Sequence, residues 1–309
     1  MKAIAEAPAK VIITGEHFVV HGAWGLAAAV PKLVRAQVSP SSKFMVVSDR
    51  YPRSDSAELR PAAAVVEYLA REYSVDPRVK VAISSGVPKG AGLGSSASTL
   101  VSVAAAFSRL RKVRLGIDEV VRAAMVGEGM VHGHPSGIDP NICARGGVIL
   151  FRPGSPPRTV ALQGSRTIIV SYSGSTRSTR RQISRVGNIR EGYPAYFSRL
   201  ASSVGALSLD AAQMLGKGDT LGLGTVLNLN QAVLSSMGVS TDQIDEMVEL
   251  SVNSGAYGAK LTAAGGGGSI IAVGPEAKEK SIVSGLKARG FETFSARVPV
   301  EGVRSWLSQ

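Results

Sequence analysis

A single cysteine, Cys143, among 309 residues rules out an internal disulfide and fits a reducing compartment. Aromatic residues are scarce at 5% and the basic residues are mostly dispersed, whereas nucleic-acid binding favours arginines gathered beside aromatic platforms. There is no internal repeat and no low-complexity tract. The longest uncharged run, Thr220 to Thr241, carries Asn228, Asn230, Gln231 and several glycines, which argues against a membrane span. A secretory signal is missing too, because Glu6 and Lys10 interrupt the N-terminus and no apolar core follows a basic start. The expectation is a soluble, cytoplasmic protein. Acidic side chains are in short supply, 23 against 35 Lys and Arg, for a net charge of +12. That excess has two readings: a nucleic-acid or membrane-surface binder, or an enzyme whose substrates are polyanions.

The length allows two domains with separate cores. The best linker is Arg152-Pro153-Gly154-Ser155-Pro156-Pro157-Arg158, which divides the chain into residues 1–154 and 155–309. The first part opens with short strands (Lys2 to Ala5, Lys10 to Thr14, Gly25 to Val30, Leu33 to Val38, Phe44 to Ser48), the pattern of a mixed sheet. Helical periodicity follows from Pro61 and again from Asp118 to about Gly129, and Gly146 to Phe151 reads as a strand. The second part reads as a strand (Thr167 to Ser171), several helices between Thr179 and Gly255, then strand, helix and a last strand, Glu292 to Val298. Ser240 with Gln243 marks a capping pattern for the last of those helices. The fold class is α+β, with helices covering one face of the second sheet.

The most informative stretch is Val87-Pro88-Lys89-Gly90-Ala91-Gly92-Leu93-Gly94-Ser95-Ser96-Ala97-Ser98, between a strand (Val79 to Ile83) and an apolar helical pattern. Its alternating glycines permit positive φ and close backbone approach. The serines fall where a helix N-cap is expected, so free N–H groups and the positive dipole end face the loop. Such a cradle suits an anion, phosphate above all, although a tight structural turn has the same signature. The text matches neither the Walker nor the dinucleotide-binding fingerprint.

If the loop holds a triphosphate, Mg²⁺ needs hard oxygen ligands and the acceptor alcohol needs a carboxylate. Glu128 and Asp139, each close to glycines, are the candidates, although carboxylates in such places usually sit in solvent. The run His132-Gly133-His134-Pro135-Ser136-Gly137-Ile138-Asp139-Pro140-Asn141 is too rich in Gly and Pro for a regular element. Lys10, flanked by Ala9 and Val11, is either an edge residue with its head in water or a partner for Asp139 that stabilises an incipient alkoxide. His17 sits in a turn, a place for a substrate hydrogen bond. Arg177, Arg181 and Arg185 share a helical face, solvated for the most part.

Three motifs in order, Ala7-Pro8-Ala9-Lys10-Val11, the Pro88 to Ser98 loop, and Lys260-Leu261-Thr262-Ala263-Ala264-Gly265-Gly266-Gly267-Gly268, resemble the GHMP small-molecule kinases. Within them, Gly15-Glu16-His17-Phe18-Val19-Val20-His21-Gly22 and His132 to Asp139 are similar to the mevalonate kinases, in their short archaeal type. The resemblance implies a mixed-sheet N-terminal domain, a ferredoxin-like C-terminal domain, and ATP- and Mg²⁺-dependent phosphorylation of the 5-hydroxyl of mevalonate. It assigns Lys89, Gly90, Ala91, Gly92, Leu93, Gly94, Ser95, Ser96 and Ala97 to the ATP phosphates, and Ser96 with Glu128 to Mg²⁺. Asp139 with Lys10 falls on the catalytic positions. Glu16, His17, Ser136, Gly137, Asp139, Thr179 and Gly266 fall on the substrate side. A homodimer is common in the family. Phe18-Val19 after Gly-Glu-His sets the chain apart from galactokinases, which carry Asp-Tyr there, and phosphomevalonate kinases lack that turn. Two positions depart from the pattern: Ala9, where glycine is usual, and His134, where threonine is common. Sister kinases acting on phosphomevalonate, on the 3-hydroxyl of mevalonate or on a sugar are the alternatives, with a basic nucleic-acid module on the same scaffold as the reading from another class.

Overall fold

The computed structural model describes the chain except residues 52–55, 134 and 176–178, together with the side chains of Thr179 and Arg180. Its first sheet is built on two long antiparallel strands, β1 (Lys2–Thr14) and β2 (Gly25–Pro40). The sequence predicts breaks at Pro8 and Pro31, but each strand runs through its proline. Pro8 pairs with Leu33 and Ala9 with Val30, so Pro31 and Lys32 form a bulge opposite them. A bulge tolerates a residue that cannot donate to the ladder.

Next come β3 (Met45–Ser48), α1 (Arg60–Glu72), β4 (Val79–Ser85), α2 (Ser95–Leu110), α3 (Ile117–His132), α4 (Ile138–Arg145), β5 (Val148–Phe151) and β6 (Arg158–Thr159). The central helix is α2, apolar on nearly every side because it lies between the sheet and α1, α3 and α4. Two expectations fail here. The α3 helix runs on past Gly129, so Glu128 lies inside a helix. The Gly- and Pro-rich run turns into α4 at Ile138, and Pro140 is accommodated because it stands in the first turn, where no intrahelical N–H is needed.

The second half contains β7 (Arg166–Tyr172), α5 (Thr179–Gly192), α6 (Pro194–Lys217), α7 (Thr220–Ser236), α8 (Asp242–Asn253), β8 (Gly258–Leu261), β9 (Ser269–Val273), α9 (Glu279–Ala288), β10 (Glu292–Val298) and β11 (Arg304–Ser308). Its sheet is antiparallel in the order β10-β7-β9-β8. With the helices α5 to α8 between β7 and β8 and α9 between β9 and β10, that order is the ferredoxin-like arrangement the resemblance implies, enlarged in its first crossover. Both faces are covered: Ile168 and Val170 of β7 enter one core, and Ile169 enters the other. The cap of α8 is Thr241, whose hydroxyl accepts from the Ile244 N–H at 3.3 Å, one residue beyond the expected Ser240.

The first sheet has the order β11-β1-β2-β4-β3, with β5 on β2 and β6 on β5. The division at residue 154 is therefore crossed twice, since β6 and β11 both join the N-terminal sheet. Among the described residues no helix is long and apolar enough to cross a membrane.

Candidate active site

The glycine loop leaves β4 and enters α2 with Gly90, Gly92 and Gly94 at φ of 75°, 75° and 72°. These are left-handed conformations that glycine adopts without strain. Space imposes a second demand at Gly94, where a Cβ would lie 2.6 Å from Cγ of Lys10. The cap of α2 is Gly94 itself, with no side-chain cap, and Ser95 and Ser96 stand inside the first turn rather than at the cap. The opening N–H groups of the helix thus have no partner within the helix and face the loop. On the other side the loop is held by the second half of the chain: Ser269 Oγ donates to the Ala91 carbonyl at 2.8 Å and Tyr172 Oη to the Lys89 carbonyl at 2.9 Å.

Lys10 lies deep in β1, 3% exposed, with Nζ 3.2 Å from Oδ2 of Asp139. Asp139 is in the first turn of α4 and is 30% exposed, open to the cavity. Glu128 comes from α3, and its Oε1 accepts a hydrogen bond from Ser96 Oγ at 2.6 Å. Gly127 is required there for helix packing, since a Cβ would meet Leu100 at 2.7 Å and the Pro61 carbonyl at 2.8 Å. The neighbouring glycine thus marks close helix contact, and Glu128 is buried rather than solvated. Burial pushes its carboxyl above the ordinary range, and the charge of Asp139 adds to that rise. Ser96, His132 and Lys10 oppose it. A buried carboxylate with a second one close by, beside a hydroxyl and a helix N-terminus, makes a set of hard oxygen donors suited to a divalent cation.

These groups line one cavity of about 590 Å³ between the two halves. Val19, Val20, Ile138, Ile183 and Val186 supply an apolar wall, and Glu16, His17, Ser136 and Gly137 stand on the same cavity. His17 is held at φ 63°, and its Nε2 bonds the Ala264 carbonyl at 2.9 Å. Burial pushes its pKa down to about 4, against the opposing effect of that carbonyl. It is therefore neutral at ordinary pH, and Nε2 carries the proton it donates to Ala264. Ser136 Oγ accepts from the Ile138 N–H at 3.4 Å, helping to turn the chain into α4.

Three of the expected site residues are absent from the described cavity wall. Lys89 holds its ammonium over the Tyr51 ring at 5.1 Å, and Ala97 is packed in the core. Gly266 packs against Gln182 and donates its N–H to the Val239 carbonyl at 2.7 Å, so it shapes the glycine run from behind. Thr179 opens α5, but its side chain lies outside the described residues, as do His134 and Arg177 entirely. Of the arginine group, Arg185 caps the turn after α7 through the Gly238 carbonyl at 2.7 Å, and Arg190 donates to Nδ1 of His21 at 3.1 Å.

Lys260 is a residue of the third motif for which sequence reasoning found no role. It is fully buried and ion-paired with Glu16, whose Oε2 is buried without a hydrogen-bond partner. Thr262 adds a two-way clasp, accepting from the Ile12 N–H at 2.9 Å and donating to the Ile12 carbonyl at 3.0 Å. The available signal was a lysine on a strand beside Ala259 and Leu261, which marks burial but not the partner.

The family description "GHMP kinases N terminal domain" matches residues 60–147, and "GHMP kinases C terminal" matches residues 206–292. A mevalonate kinase of Aeropyrum pernix is 34% identical over 97% of each chain. Among solved structures, a mevalonate kinase of L. major in complex with R-mevalonate superposes with a TM-score of 0.80, at 29% identity and over 94% of each chain. That of Methanococcus jannaschii gives a TM-score of 0.84 at 22% identity, covering 96% of this chain and 98% of its own, which speaks for the fold alone. With the two halves of the family's pattern in place and a relative matched along nearly its whole length, the chain belongs to the GHMP kinases, in the mevalonate kinase family.

Proposed function

We propose that this chain transfers the γ-phosphoryl group of ATP to the 5-hydroxyl of mevalonate, giving 5-phosphomevalonate and ADP. The observation that carries this reading is the Lys10–Asp139 pair, 3.2 Å apart and opening onto the same cavity as the glycine loop. The first-turn N–H groups of α2 and the loop from Gly90 to Ser96 receive the ATP phosphates. Asp139 accepts the proton of the acceptor hydroxyl as its oxygen bonds to the γ-phosphorus and the bond to the ADP oxygen breaks. Lys10 offsets the negative charge that develops on the acceptor oxygen. Ser96 and Glu128 would hold Mg²⁺, which when bound neutralises charge on the β- and γ-phosphate oxygens.

His17, Ser136, Gly137 and Thr179 orient the acceptor, Glu16 fixes the wall behind them through its pair with Lys260, and Gly266 supports the glycine run without touching the ligand. The apolar wall fits the methyl and methylene groups of a short branched acid. The reading includes a two-part organisation, residues 1–154 and 155–309 with β6 and β11 returned to the first sheet, and a homodimer working in the cytoplasm. Native mass spectrometry at working concentration tests the dimer.

An ADP-release assay with ATP and Mg²⁺ against mevalonate, phosphomevalonate, galactose and homoserine tests the substrate. Turnover with mevalonate alone, and phosphate on C5 by phosphorus NMR, is the expected result. Phosphate on C3 keeps the fold and overturns the placement of the acceptor, while turnover with another of the four assigns the chain to that sister activity.

A further inference from the structure

A second cavity of about 270 Å³ lies at the far end of the ferredoxin-like sheet, between the start of β7, the α6–α7 turn and the end of β9. The strands run from it to the active site, for β7 begins here at Arg166 and ends at Tyr172, which holds the glycine loop. Three cationic side chains line this cavity: Arg166, Lys217 and Arg297. Neither Arg166 nor Lys217 has a carboxylate partner among the described residues. Arg166 spends one Nη1 bond on the Ser165 carbonyl at 3.0 Å, while its Nε is buried with no hydrogen-bond partner. A buried guanidinium N–H left unpaired is unfavourable unless something else accepts from it.

The local carboxylates do not fill that need. Asp219 is engaged as the cap of α7, accepting from the Gly222 N–H at 2.8 Å. Glu276 is 87% exposed and stands 3.9 Å from Arg297, at the rim. The guanidinium packs closely on the turn before α7: Gly218 has φ 78°, and a Cβ there would lie 2.1 Å from Nη2 of Arg166.

We propose that this cavity is a binding site for a small phosphate- or diphosphate-bearing anion, separate from the ATP site. Arg166 presents a planar fork that matches phosphate oxygens and Lys217 adds a mobile point charge. Arg297, already facing Glu276, contributes less.

The test titrates ADP-saturated, magnesium-free protein with pyrophosphate and, separately, with orthophosphate by calorimetry, at ionic strength held constant with chloride. The expected result is saturable binding at one site, weakened at least about tenfold in Arg166→Gln and about threefold in Lys217→Gln. Similar affinities for the two ions identify free phosphate as a sufficient ligand, whereas a clear preference for pyrophosphate identifies the diphosphate group of a larger metabolite. Both outcomes sustain the site. No saturable binding overturns it, and so does binding that neither variant changes. Binding seen in ADP-free protein but lost at ADP saturation places the ion in the glycine loop and overturns it as well. If Arg166→Gln fails to fold, the exposed Lys217→Gln decides alone.

Discussion

Two lysine–carboxylate pairs stand at the same cavity, the second through Glu16 alone, and differ in almost everything except chemistry. Lys10 and Asp139 sit 3.2 Å apart with Asp139 30% exposed, whereas Lys260 and Glu16 are sealed, 0% and 1% exposed. In the sealed pair desolvation is the leading influence, raising Glu16 and lowering Lys260, and their mutual attraction opposes both shifts. The open pair keeps its carboxylate within reach of a substrate. The sealed pair ties β8 to the turn after β1, holding the two halves of the cavity wall together. On the proposed function one kind of contact serves reaction in one place and architecture in the other, and burial is what separates them.

The most direct attempt to break this division is Asp139→Asn. Removing the proposed proton acceptor should lower turnover by about 10²- to 10⁴-fold with ATP affinity nearly unchanged, and should lower the melting temperature only modestly, because Lys10 loses its partner but its ammonium still opens onto the cavity. Steady-state kinetics with a thermal melt checks both, and unchanged turnover would remove Asp139 from the chemistry.

Lys260→Met should do the opposite, leaving Glu16 as an uncompensated buried charge at a cost of about 3–5 kcal/mol in stability. Adding Glu16→Gln should restore most of that loss in denaturant unfolding, because no charge is then left to strand. If Lys260→Met lowers turnover and leaves stability intact, burial does not divide the two pairs into a reacting and a structural one.

The open side of the cavity was far more legible in the sequence than the sealed side. Gly90, Gly92 and Gly94 announce positive φ, and the periodicity of α2 is local, so the cradle could be placed before any contact was known. Chemistry points to Asp139, but the sequence suggests a loop around it, because Pro140 and the glycines hide a helix whose first turn tolerates proline. For Glu128 the glycine neighbours leave a solvated carboxylate open beside the metal-ligand reading, because local sequence does not show that Gly127 serves helix packing. The Glu16–Lys260 pair spans 244 positions, and β11 finds β1 across nearly the whole chain, so no local pattern reports either. Pro8 and Pro31 each suggested a break for the same reason, since only their mutual register turns two interruptions into one bulge.

His17 allows the sealed side to be tested by pH. Its pKa is about 4 in the folded chain, chiefly through burial, against about 6.5 when unfolded. Between those values the unfolded state binds the extra proton, so stability is fully present above pH 6.5 and is lost as the pH falls toward 4. The loss amounts to about 3 kcal/mol. His17→Asn, whose residue tolerates the left-handed backbone, should flatten this part of the stability–pH curve. An unchanged slope in the variant would show that other groups set it.

Glu128 sharpens the comparison from the open side, where protonation should be felt in ligand binding rather than in folding. Its carboxyl is raised by burial and then by Asp139, and a cation can coordinate only the ionised form. The Mg²⁺ concentration for half-maximal rate should therefore climb as pH is lowered, and should do so at a higher pH than for an ordinary carboxylate, because a proton competes for the same oxygens. Glu128→Gln should raise that concentration about tenfold at neutral pH, the loss of one charged ligand, and should abolish its pH dependence. A variant that titrates with magnesium as the wild type does would take Glu128 out of the ligand set and leave Ser96 without its partner. Because Glu128 sits at the junction of α2 and α3, a normal melting temperature in the variant is what distinguishes a lost ligand from a loosened helix pair.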